Sequence, residues 1–178
     1  MDTECYSNTG GQTSKATPLS AVTKYSPDGK RTFKKDLGRM MMTYGTVYVA
    51  SVSLGADMQQ TINALKEAEA YDGPSIVIGY CPCINHGLRT GMSHAVIEQR
   101  EAVKAGYWPL YRFNPASDQP LTVDYSAPDG TLPDFLDKED RYADLKIIDP
   151  AALAGLRPEV ASRLSEMYTL LTDRSKES

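Results

Sequence analysis

Residues 46–80 constrain the fold most. "TVYVASVSL" (46–54) is rich in β-branched and aromatic residues and reads as a strand. "ADMQQTINALKEAEAY" (56–71) reads as an amphipathic helix. Met58, Ile62, Leu65 and Ala68 share one face, and Gln59, Lys66, Glu67 and Glu69 fall mostly on the other. A "DGP" turn at 72–74 leads into "SIVIGY" (75–80), a short apolar run expected of a strand covered on both faces. Strand, helix and strand in that order make a βαβ unit with a parallel crossover. The expected class is therefore α/β, a partial parallel sheet with helices on both faces.

The flanking segments divide the chain into a loop (1–33), a βαβ core (34–113) and an irregular and helical tail (114–178). "KKDLGRMMMTYG" (34–45) predicts a short helix ending at Gly45, and "MSHAVIEQREAVKAG" (92–106) a longer one with Gly106 at its C-terminal cap. "YWPLYRF" (107–113) predicts a third strand whose pairing Pro109 limits. Residues 114–130 are irregular with one edge strand. Asp149–Pro150 offers the N-cap and first residue of a short helix. Pro158 is placed to start another, with Val160, Leu164, Met167 and Leu171 on one stripe. Residues 172–178 are expected to fray.

Two segments carry chemistry rather than packing. "DTECYSNTGGQTSKATP" (2–18) has no apolar periodicity; its hydroxyls and carbonyls are hard oxygen donors suited to Mg²⁺. Gly10 and Gly11 let backbone N–H groups approach phosphate oxygens. The loop is not of the Walker type, and an ordinary surface turn is the plainer reading. Such loops normally follow a buried strand, whereas this one follows Met1 directly. Either it holds no ligand or the chain begins partway through a domain. The second segment, "CPCINHGLRTGM" (81–92), leaves the carboxyl end of the 75–80 strand, where open parallel sheets gather ligands. Cys81 and Cys83 are soft donors. With only three cysteines in the chain, Cys5 included, they cannot complete an iron–sulfur site alone. Buried small hydrophobes are the alternative. His86 is the histidine placed to touch a ligand; His94 falls in the 92–106 helix. "KRTFKK" (30–35) is a basic patch read as a solvated loop, with a phosphate-facing role as the alternative.

A net charge of -4 gives no basis for nucleic-acid binding, and no apolar run approaches the ~20 residues of a membrane helix. The cysteines lack a secreted disulfide spacing, which fits a reducing, cytoplasmic compartment.

"DTECYSNTGGQTSKATP", "YGTVYVASVSLGAD", "AEAYDGPSIVIGYCPCINHGLRTGM" and "AVKAGYWPLYRFNP", in that order, closely resemble successive blocks of the thiamine-diphosphate-binding domain of pyruvate:ferredoxin (flavodoxin) oxidoreductases. The resemblance reaches about residue 145. It implies enzymes that decarboxylate pyruvate on thiamine diphosphate, form acetyl-CoA, and pass electrons through [4Fe–4S] clusters to ferredoxin or flavodoxin. It implies Mg²⁺ ligands at the Thr3 side chain and the Cys5 backbone carbonyl, where the family more often has Val. Gly10 and Gly11 belong to the same cofactor loop, Asn8 lies by the cofactor, and Thr9 sits next to the reacting centre. Cys83 matches the fourth ligand of the cluster nearest thiamine, whereas Cys81 stands where Ala is usual. The family's upstream Gly-Asp-Gly block and remaining cluster cysteines have no match. The expectation is thus a carboxyl-terminal piece, inactive alone, whose partners are the remainder of the enzyme, which is a homodimer when full length. Action on another 2-oxoacid, or service as a non-catalytic packing module, are the alternatives.

Overall fold

The computed structural model describes residues 1–125 and 128–177. Residues 1–33 are irregular apart from a 3₁₀ turn at Ser7–Thr9. Helix α1 (Leu37–Met42) starts where the Asp36 side chain accepts from the Arg39 N–H. Strand β1 (Tyr48–Val52), helix α2 (Met58–Ala70) and strand β2 (Ser75–Gly79) form the expected crossover, with β1 and β2 parallel from Tyr48↔Ser75 to Val52↔Gly79. After the second loop come helix α3 (Ala95–Lys104), strands β3 (Tyr111–Phe113) and β4 (Leu121–Val123), and helices α4 (Leu132–Asp137), α5 (Asp140–Ile148) and α6 (Pro150–Glu177).

The strand order is β2-β1-β3-β4. The class is α/β, but the sheet is mixed: β3 runs antiparallel to β1 (Ala50↔Arg112), and β4 antiparallel to β3. Residues 107–110 are buried, and ladder pairing with β1 starts only at Tyr111, past Pro109, which has no N–H to donate. Trp108 and Pro109 instead fix the approach to β1. The Trp108 indole donates to the Val52 carbonyl (3.1 Å), and the Ser51 hydroxyl donates to the Pro109 carbonyl (2.6 Å).

All five β1 residues are buried, as befits a central strand. By contrast β2 is an edge strand, and Ile76, Val77 and Ile78 are only half-buried, so the expected cover on both faces is not found. Helices do lie on both faces. On one, Tyr48, Ala50 and Val52 pack against Ala64 and Ala68 of α2. On the other, Val49, Tyr111 and Leu121 meet Met42 of α1 and Met167 and Leu171 of α6. Helix α6 runs unbroken through Pro158, so the two expected short helices are one. Its Val160–Leu171 stripe joins this core to a larger cluster built from Leu19, Tyr80, Tyr107, Trp108, Phe135 and Leu145. No helix among the described residues is long and apolar enough to cross a membrane.

The orientation of α2 departs in part from the sequence expectation: Ala68 of the expected stripe packs on the sheet and Gln59, Lys66 and Glu69 are exposed, but the rest of the stripe is not buried. Met58 (63% exposed), Ile62 (38%) and Leu65 (53%) face outward, while Gln60, Thr61 and Ala64 are buried. Small side chains let the helix approach the sheet. The Gln60 amide nitrogen crosses the interface to the Ser51 carbonyl (3.1 Å) and the Asp124 carboxylate (2.9 Å), while its buried Oε1 has no hydrogen-bond partner among the described residues. Ala64→Leu should therefore destabilise the chain by about 1–3 kcal/mol through overpacking. Ile62→Gln should stay within about 0.5 kcal/mol. Urea denaturation midpoints of the two variants check the helix orientation, and the reverse order would contradict it.

Candidate functional site

The two polar loops meet at the carboxyl end of β2. The Asp2 N–H donates to the Gly79 carbonyl (2.8 Å) and the Cys81 N–H to the Asp2 carbonyl (3.0 Å), so the first loop begins alongside the strand from which the second departs. Further on, His86 Nε2 lies 2.9 Å from the Thr3 carbonyl. The Asn85 amide donates to the Ser7 carbonyl (3.4 Å) and to Cys83 Sγ (3.4 Å). Gly11 closes the junction. Its φ is +82°, and a Cβ on it would stand 2.7 Å from Asn85, so only glycine lets the loops touch here.

Within this junction the Thr3 hydroxyl donates to the Cys5 carbonyl at 3.0 Å. Two oxygens from residues on either side of Glu4 thus converge on one point. Cys5 and Cys83 are both buried. Burial first, and then the adjoining Cys83 thiol, push the Cys5 thiol up to about 11, so it is protonated at neutral pH. Cys81 is half-exposed, and its thiol reaches only the neighbouring Pro82 carbonyl, at 3.9 Å.

Asn8, Thr9 and Gly10 form the exposed tip of the first loop. Its neck is closed by Tyr6 N–H to Gln12 O (3.0 Å) and Gly11 N–H to Tyr6 O (2.9 Å). The Thr9 hydroxyl donates to Gln12 Oε1 (2.6 Å), and Gln12 Nε2 returns a bond to the Thr9 carbonyl (2.7 Å). The Gly11 amide is therefore engaged within the loop, and Gly11 serves the junction by its lack of a side chain. Of the candidate residues, Thr3, Cys5, Gly11 and Cys83 are brought together, with Asn8, Thr9 and Gly10 on the tip beside them. His94 is exposed at the start of α3. Among the described residues no group of three or more His, Cys, Asp or Glu side chains is placed to hold a metal ion.

Comparison with known proteins relates the chain as a whole to larger ones. Over 150 residues the chain is 55% identical to the pyruvate:ferredoxin oxidoreductase of Moorella thermoacetica, covering 82% of this chain and 13% of that protein. Over 154 residues it is 52% identical to the pyruvate-flavodoxin oxidoreductase of Klebsiella pneumoniae, covering 84% and 13%. Over 172 residues it is 46% identical to the mitochondrial pyruvate dehydrogenase [NADP(+)] of Euglena gracilis, covering 94% and 10%. No family model matches the chain. The chain is a relative of one segment of the pyruvate:ferredoxin and pyruvate:flavodoxin oxidoreductases. It spans 10–13% of the length of these three relatives.

What holds this corner together is a buried charge network. Glu4 sits in the left-handed region (φ 57°) and is only 1% exposed. Its carboxylate receives Arg141 Nη2 (2.8 Å), the Tyr107 hydroxyl (2.7 Å) and Lys34 Nζ (3.0 Å). Its carbonyl accepts from the Thr17 hydroxyl (2.6 Å). Arg141 Nε also donates to Glu139 (2.7 Å), whose other oxygen lies 3.5 Å from His86 Nδ1. Lys30 is buried too, donating to the Thr17 carbonyl (2.5 Å) and the Lys15 carbonyl (3.3 Å); burial, then Lys34 and Lys15, lower its pKa. The "KRTFKK" patch is thus partly structural: Lys30 and Lys34 brace the loop, while Arg31 and Lys35 are exposed. Nothing near residue 4 announces Arg141, 137 positions away.

Burial alone would raise the Glu4 carboxyl, but Lys34 and Arg141, with His86 and Tyr107, outweigh it and bring it down to about 2. Its unfolded value is higher, near 4.5. Its contribution to stability is therefore complete above that value and is lost as pH falls from about 4.5 towards 2. Arg141→Met removes one counter-charge from a buried carboxylate and should cost about 3–5 kcal/mol. It should also move the acid-unfolding midpoint to higher pH, because Glu4 then takes up its proton earlier. Acid titration followed by tryptophan fluorescence checks this; an unchanged midpoint would mean Glu4 does not govern acid stability.

Proposed function

We propose that this chain supplies the carboxyl-terminal cofactor corner of an enzyme that oxidatively decarboxylates pyruvate with CoA to acetyl-CoA and CO₂, passing electrons through [4Fe–4S] clusters to ferredoxin or flavodoxin. The observation that carries this reading is the convergence of Thr3 Oγ1 and the Cys5 carbonyl at 3.0 Å beside the buried thiol of Cys83. Two hard oxygens suit Mg²⁺, and a sheltered sulfur suits iron. Thr3 and Cys5 would hold the cation of a bound thiamine diphosphate, and Cys83 would give one ligand to a cluster. Asn8, Thr9 and Gly10, on the tip beside them, would face the cofactor. When bound, thiamine diphosphate supplies the nucleophilic carbon and the electron sink that decarboxylation of a 2-oxoacid needs. This chain's own contribution is to fix that cofactor's cation against a rigid strand end and to shelter Cys83 from water.

The relatives support the division of labour. Their names carry three acceptors, ferredoxin, flavodoxin and NADP⁺, and one substrate, pyruvate. A segment alike in all three fits the chemistry they share better than the docking of any one acceptor. The remainder of the enzyme would complete both the Mg²⁺ site and the cluster.

Two substitution pairs test the reading in the chain joined to the remaining segments of such an enzyme. Thr3→Val removes a side-chain oxygen from the cation and should weaken thiamine-diphosphate binding by about tenfold or more. Cys5→Val keeps the backbone carbonyl and should leave affinity within about threefold, well short of the effect of losing a ligand. Calorimetric titration that ranks them the other way would remove the Cys5 carbonyl from the ligand set. Cys83→Ser should lower iron content and alter the paramagnetic signal of one cluster, while Cys81→Ala should leave both near wild type, at about 1 kcal/mol of stability. Loss of iron in Cys81→Ala alone would shift the site by two residues.

A further inference from the structure

His86 is fully buried and meets the backbone of the first loop, its Nε2 lying 2.9 Å from the Thr3 carbonyl. A carbonyl only accepts, so Nε2 carries the hydrogen. Nδ1 is buried without a hydrogen-bond partner among the described residues, with Glu139 Oε1 at 3.5 Å. The hydrogen bonding of this ring therefore goes to Thr3. The other edge of the same peptide is held too, because the Glu4 N–H donates to Asp2 Oδ1 (2.9 Å). Both polar groups of the Thr3–Glu4 peptide are thus pinned, the carbonyl from the second loop and the amide from the first. The pinning matters because Glu4 follows with φ 57°. Turning this peptide over would return Glu4 to an ordinary negative φ and relieve the strain. It would also aim the carbonyl at the Asp2 carboxylate and leave the His86 N–H buried and unpaired.

We propose that His86 is a positioning residue of the cation site: its N–H locks the Thr3–Glu4 peptide against this flip. Thr3 Oγ1 and the Cys5 carbonyl lie on either side of that peptide, and their 3.0 Å approach depends on its orientation. The inference rests on the reading of these two oxygens as Mg²⁺ ligands. His86 touches neither the cation nor the cofactor; it acts through Thr3. Because it follows Cys83 in the second loop, that loop sets the geometry of the first. The role requires a hydrogen-bond donor at one point rather than an imidazole. A glutamine can bring its amide N–H to the place of Nε2. A phenylalanine keeps a ring beside Tyr80, as His86 does at 6.3 Å between centroids, but donates nothing.

The test uses the chain joined to the remaining segments of such an enzyme, with thiamine diphosphate titrated calorimetrically at several Mg²⁺ concentrations. His86→Phe should weaken binding by about tenfold, as when the partner that orients a metal ligand is lost, and should raise the Mg²⁺ needed for half-saturation. His86→Gln should stay within about threefold of wild type. In a Thr3→Val background His86→Phe should add less than about threefold, because the residue it acts through is already changed. Without cofactor, hydrogen exchange at the Glu4 amide should quicken in His86→Phe and not in His86→Gln. Equal losses in the two His86 variants, a full loss on top of Thr3→Val, or unchanged exchange would each overturn the positioning role. His86→Met, also without a donor, takes the place of His86→Phe if that variant fails to fold. Unchanged affinity in Thr3→Val would sink the cation reading and this role with it. A weakened Thr3→Val beside an unaffected His86→Phe would remove the positioning role alone.

Discussion

The Glu4–Arg141 ion pair is the constraint on which the rest depends. A carboxylate almost wholly out of water costs several kcal/mol unless paired and hydrogen-bonded. Glu4 is paired twice over, by Arg141 from α5 and by Lys34 from the segment before α1. The backbone at Glu4 is left-handed, at a cost of about 1–2 kcal/mol for a residue with a Cβ. That twist lets the residue 3 side chain and the residue 5 carbonyl meet. The network offsets the strain, and strain of this kind persists only where surroundings over-determine it. Pulling the loop away would leave Glu4, Arg141 and Glu139 buried with incomplete partners, so the loop has little freedom to leave.

The same network explains why an irregular tail belongs to the site. Helix α5 brings Arg141 beneath the first loop, and Glu139, just before it, pairs as a β-bridge with Leu88 of the second. Tyr107 and Tyr142 share a hydroxyl contact of 2.8 Å next to Arg141, whose guanidinium lies 4.9 Å from the Tyr142 ring. These aromatic hydroxyls satisfy donors that a purely aliphatic core would strand. The first loop through Leu19 and Ala21, α3 through Ala102, and α5 through Tyr142 and Leu145 thus rest on one cluster beneath the strand end.

Legibility in the sequence followed the range of the interaction. The βαβ crossover, the cap at Gly106 and the stripe on α6 depend on neighbours a few residues away, and the pattern gave them. The two chemical loops were visible as polar, glycine-bearing stretches because they lack packing periodicity. The buried charges were not visible, since Glu4 and Arg141 each look like ordinary surface residues until the fold joins them. The α2 orientation, met at Ala68 but not at Met58, Ile62 or Leu65, failed in part for a different reason. A hydrophobic stripe states which face is apolar, not which face the sheet accepts. Against Tyr48, Ala50 and Val52 the sheet accepts Ala64 and Ala68, and bulk at Ile62 or Leu65 would hold the helix further off. The late start of β3 pairing was legible in Pro109, whereas its antiparallel direction, set by how the chain returns to β1, carried no local signal.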